Sequence, residues 1–122
     1  MMQMLSRNPA ATYRRIELDA RIEASGRADL TRICLEEAEG ALGQALALLD
    51  RSQTVPRDPL ARAQSIMVWL AQSVAPGHPL AATLRQFYGG LASQIGGNIL
   101  QPDAAALRQV MNDIRDLLEA AG

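Results

Sequence analysis

Apolar positions recur at three- and four-residue spacing along four stretches of the chain. Each stretch predicts an amphipathic helix. The first runs from about Asp29 to Asp50. It sets Leu30, Ile33, Cys34, Ala38, Ala41, Leu42, Ala45, Leu48 and Leu49 on one stripe, with Glu36, Glu37, Glu39 and Gln44 outside it. Asp29 or Ser25 is its expected N-cap, and the loop containing Pro56 ends it. The second begins at Asp58-Pro59, a polar residue before a first-turn proline, and buries Leu60, Ala63, Met67, Leu70 and Val74. Pro76-Gly77-His78-Pro79 stops it. The third spans about Pro79 to Leu100, with Leu80, Leu84, Phe87, Leu91 and Ile95 as its core seam. Pro102-Asp103 punctuates next, with Asp103 as the expected cap. The fourth runs from about Ala104 to Ala121 on a stripe of Leu107, Val110, Met111, Ile114, Leu117, Leu118 and Ala121. Short connections between four such helices predict an all-α, antiparallel up-down-up-down four-helix bundle.

The segment before these helices has another rhythm. Ile16 to Ala24 alternates apolar and charged residues, the period of a half-buried strand. No other strand exists to pair with it, and an isolated strand is unstable in water. The expectation is a short helix around Pro9 to Arg14, then an extended or irregular run laid against the bundle. A continuous helix through Ile22, with Tyr13, Ile16 and Ala20 on one face, is the alternative. The chain reads as a single domain: a mobile end over residues 1–8, an N-terminal cap segment over 9–24 and the bundle over 25–122.

Composition sharpens this picture. Ala and Leu dominate and Val is scarce, which favours helices over strands. The 12 basic residues are all Arg and face 13 acidic ones, for a net charge of −1. No basic excess is available for a nucleic-acid backbone. No apolar run has signal-peptide or membrane-span length, so a soluble cytoplasmic protein without membrane insertion is expected. One Cys and one His argue against a disulfide and against a Cys/His metal site, and no cofactor is expected. Enzyme motifs are absent: no Gly-rich loop follows a strand, and there is no G-x-S-x-G. Cys34 sits within an apolar stripe and reads as core. His78 lies between prolines and reads as a plain loop residue. Glu36, Glu37 and Glu39 read as a solvated helix face.

Small residues on the third helix stand out. Gly89, Ser93 and Gly96 fall at spacings of four and three, beside Gly90 and Gly97. Four helical glycines cost about 3–4 kcal/mol relative to alanine, so some packing role must offset them. Close packing inside the bundle is one such role. A groove floor that accepts a partner helix, formed by Gly89, Ser93 and Gly96, is the other. Trp69 lies one position off its stripe. It either seals the edge of the core or stands exposed as an anchor for a partner, and Tyr88 is a second candidate anchor.

Several stretches together resemble the flagellar secretion chaperones of the FliS type. Tyr13-Arg14-Arg15-Ile16-Glu17-Leu18 is similar to that family's N-terminal tyrosine and the alternating positions after it. Ala24-Ser25-Gly26 before Leu30 resembles its Ala-Ser-Pro helix entry. Leu70-Ala71-Gln72-Ser73-Val74 and above all Leu80-Ala81-Ala82-Thr83-Leu84-Arg85-Gln86-Phe87-Tyr88 resemble its central segments, and Pro102-Asp103 with Leu107, Val110, Ile114 and Arg115 its last helix. The likeness covers residues 10–120 and rests on order and spacing. Departures mark a divergent member: Leu35-Glu36 stands where the family has Tyr-Asp, Ser93-Gln94 where it has Arg-Arg, and a late Trp is missing.

The resemblance implies a cytoplasmic, non-enzymatic export chaperone. It would bind the C-terminal segment of flagellin, prevent premature polymerisation and aid delivery to the flagellar type III export apparatus. Export-gate components or a flagellar regulator would be further partners. Tyr13 and Ile16 would form the N-terminal cover or client contact. Two other readings stay open on residues alone. One is a helical adaptor that binds a different secretion client or regulator. The other is a small helical enzyme whose arginines, such as Arg32, Arg62, Arg85 and Arg108, hold an anion.

Overall fold

The computed structural model describes the backbone of residues 9–121 and the side chains of residues 29–120. It contains four helices: α1 (Pro9–Asp50), α2 (Arg57–Ser73), α3 (Ala81–Leu100) and α4 (Ala104–Ala121). The chain divides into two units, Met1–Thr31 and Arg32–Gly122, and the four-helix bundle belongs to the second.

The expected extended run after Arg14 is not found. Helix α1 is continuous over 42 residues, so Ser25 and Asp29 are interior positions rather than caps. The physical reason lies in the composition. Ala, Arg and Glu recur through residues 10–28, no proline interrupts α1 after Pro9, and the one glycine of that stretch, Gly26, costs only about 1 kcal/mol. A strand there would leave its backbone groups without a ladder partner.

Polar contacts set the order and direction of the helices within the bundle. Arg115 of α4 bonds Glu39 at 2.7 Å and Arg108 bonds Asp50 at 2.6 Å, so α4 descends as α1 ascends. Arg62 of α2 donates to Gln44 of α1. Gln64 of α2 donates to Ala92 O of α3, while Arg85 reaches back to Val74 O. Each neighbour is therefore antiparallel, in the up-down-up-down order expected. Helix α2 packs more closely on α3 than α4 does.

The core is made of Leu35 and Leu42 from α1, Leu60 and Met67 from α2, Ile95 from α3, and Leu107, Val110 and Ile114 from α4. Each such aliphatic side chain contributes about 1.5–3 kcal/mol on burial. The stripes expected on α1, α2 and α4 are buried at their centres. The seam expected on α3 is buried only in part: Leu91 and Ile95 are core and Leu84 is half-buried, but Leu80 and Phe87 are exposed, and Ala81, Tyr88, Ala92 and Asn98 complete the inward face.

The helix ends are defined by local bonds. At the end of α1, Ser52 N–H donates to Leu49 O and Gln53 N–H to Leu48 O, both at 2.9 Å, with Ser52 at φ 56°. This is a Schellman stop with serine in the left-handed position that glycine fills at least cost. Helix α2 starts one residue before Asp58, behind Pro56, and Asp58 supplies first-turn negative charge rather than a cap bond. Asp103 caps α4 as expected, its carboxylate accepting Ala105 N–H at 3.1 Å. Asn98, buried near the end of α3, donates to Gln94 O at 2.8 Å and accepts Asp103 N–H at 2.7 Å.

Candidate functional site

A shallow, open groove of ≈ 320 Å³ runs between α3 and α4. Thr83, Gln86, Phe87, Gly90, Leu91 and Gln94 of α3 line it, together with Asp113 of α4. Positions 83, 87, 90 and 94 fall at spacings of four, three and four, which puts them on one helical face. Leu91, Phe87 and the bare backbone at Gly90 give this surface its apolar floor. Thr83, Gln86, Gln94 and Asp113 give it a polar rim. Asp113 accepts Gln109 Nε2–H from its own helix at 3.1 Å, and it is the only charged group among the lining residues.

Gly90 is what keeps the floor low. A Cβ added there meets no atom within 4 Å, so the position is open space and not a packing necessity. Phe87 is 38% exposed although it was expected in the core seam. An apolar floor with a neutral or acidic rim, at the seam of two antiparallel helices, suits an amphipathic segment laid along it.

The sequence-predicted site residues fall elsewhere. Gly89, Ser93 and Gly96 do not line this groove. Of the three, Gly96 faces α2, where an added Cβ would collide with the Gln64 amide. Gly96 is thus close-packed between α2 and α3, while Gly89 has nothing within 4 Å and Ser93 is exposed. Trp69 does not seal the core: it is 42% exposed on α2, beside the exposed Val68. Tyr88 is buried in the α3 core face, and burial raises its phenol above the ordinary tyrosine range. Tyr13 and Ile16 lie on α1, and their side chains are outside the described residues.

Other candidate chemistry is dispersed. Burial, with Glu37 adding to it, raises the Cys34 thiol above its ordinary range, which suits a core residue. Three of the arginines weighed as an anion site engage separate elements: Arg62 at Gln44, Arg85 at Val74 O and Arg108 at Asp50. Among the described residues no group of three or more His, Cys, Asp or Glu could hold a metal ion, and no helix is long and apolar enough to cross a membrane.

Sequence reasoning placed none of the residues that line this groove in a site. The four-three-four spacing of 83, 87, 90 and 94 was available as a signal for the α3 wall. Asp113 was not, because only the fold brings it across from α4. The chain matches no protein-family model, no curated protein and no solved structure.

Proposed function

We propose that the chain is a divergent flagellar export chaperone of the FliS type, which holds the C-terminal segment of flagellin in the cytoplasm. The client stays unassembled while bound and is handed to the type III export apparatus. The protein works by binding and not by catalysis. The observation that carries this reading is the open α3–α4 groove, where the exposed Phe87 and the bare Gly90 lie over the buried Leu91 inside a polar rim. A helical client segment can bury that surface, and exchange of apolar contacts needs no nucleotide. The motif likeness over residues 10–120 supports the same reading, because its best-matching stretch, Leu80 to Tyr88, includes Thr83, Gln86 and Phe87 of the groove.

Isothermal titration of the full chain with the C-terminal segment of the flagellin encoded in the same genome tests it. Binding at micromolar concentration is expected, weakened by Phe87→Ala with little loss of thermal stability. No heat of binding at tens of micromolar would refute it. Binding that Phe87→Ala leaves unchanged would move the client off this groove.

A further inference from the structure

The turn between α2 and α3 is closed by two successive backbone bonds. His78 N–H donates to Ala75 O and Ala81 N–H donates to His78 O, both at 3.0 Å. Between them, Leu80 N–H donates to His78 Nδ1 at 2.9 Å. The amide held here is that of Leu80, the residue at the N-cap position of α3. In an Asx turn an aspartate or asparagine oxygen takes the amide two residues on in this way. Here an imidazole nitrogen does so, one residue before α3 begins, and Leu80 itself makes no side-chain cap bond. An imidazole nitrogen that accepts carries no hydrogen, so the neutral ring holds its proton on Nε2.

We infer that His78, the only histidine of the chain, is a proton-sensitive cap on α3: neutral, it holds the start of the helix; protonated, it releases it. Protonation places a hydrogen on Nδ1, so two donors then face each other and the bond is lost. The same step puts a positive charge against the positive end of the helix dipole. Both effects act in one direction. Arg85, reaching Val74 O at 3.5 Å, already brings one positive charge to this end of α3. The antiparallel register sets Arg32 and Glu36 of α1 and Asp116 and Glu119 of α4 at the same end of the bundle. The ion pairs Arg108–Asp50 and Arg115–Glu39 do not involve His78. The first turn of α3 carries Thr83, a groove-lining residue, so releasing the cap loosens one end of the groove. This device does not depend on the identity of the client.

The test is a pH series of amide spectra on the full free chain, with the His78 ring signals followed in parallel. The Leu80 amide is expected to move in step with the ring. Its hydrogen-exchange protection, corrected for the intrinsic pH effect, should fall roughly fivefold on protonation, as loss of one cap implies. His78→Asn, whose amide oxygen accepts throughout the range, should keep the protection and abolish the response. His78→Ala should lack the protection at every pH. A Leu80 amide indifferent to the His78 ring, or a response that survives in His78→Asn, would overturn the inference.

Discussion

Helices α3 and α4 form the two walls of one groove, and they distribute apolar residues in opposite ways. In α4 the pattern is one-sided. Leu107, Val110 and Ile114 are fully buried, while Arg108, Gln109, Asn112, Arg115, Asp116 and Glu119 are exposed. In α3 apolar residues lie on the core face and beyond it. Tyr88, Leu91 and Ile95 are buried, yet Phe87 is exposed and Leu100 is 89% exposed. A helix apolar on more than one face keeps a surface in reserve for a partner, whereas a one-sided helix spends all of it on the fold. The difference separates residues that hold the bundle from apolar residues left at its surface.

The sharpest way to break this contrast is truncation on each wall. Ile114→Ala should lower unfolding free energy by about 2–4 kcal/mol, because the site cannot collapse around the missing methylenes. Leu100→Ala should stay within about 0.5 kcal/mol. Urea denaturation measures both, and similar losses would erase the distinction. The helix starts offer a second comparison. Asp103→Ala removes the carboxylate cap of α4 and should cost about 1 kcal/mol in the same measurement.

Glycines sharpen the contrast within α3. Gly97→Ala fills open space and should raise stability by about 0.5–1 kcal/mol in thermal melts. Gly96→Ala gains the same helix propensity but displaces Gln64 from its bond to Ala92 O, so its net effect should be near zero or destabilising. The smallest effect is expected at alkaline pH. Burial raises Tyr88 and Cys34 in the folded state, so the unfolded chain ionises first as pH rises. Stability is intact below the ordinary tyrosine and cysteine ranges and falls above them. Tyr88→Phe should flatten that slope in denaturation curves collected across the alkaline range, a change with no counterpart in the aliphatic α4 core.

The same two helices explain what was legible in the sequence. Helix α4 was readable end to end, from its Asp103 cap to its Leu107–Val110–Ile114 stripe, because its polar residues leave one choice of buried face. On α3, Leu91 and Ala92 are both buried, and the adjacent pair Phe87-Tyr88 fits two helical faces equally well. Only the packed fold selects Tyr88 rather than Phe87 for the interior. The alternation from Ile16 to Ala24 misled for a related reason: period-two spacing over a short run is also compatible with a helix of strong formers. His78 looked like a plain loop residue, since no sequence pattern marks an imidazole as a cap.

Asn98 carries a consequence for the folding landscape. Its amide is buried with both ends matched, to Gln94 O and Asp103 N, in the approach to the α3–α4 connection. A packing that slides α4 by a residue leaves the bond to Gln94 O, which lies within α3, but takes Asp103 N–H from the buried Asn98 oxygen, which is costly. An aliphatic residue there would tolerate several such near-native packings. Asn98 therefore favours the one register of the α3–α4 connection in which its oxygen meets Asp103 N–H.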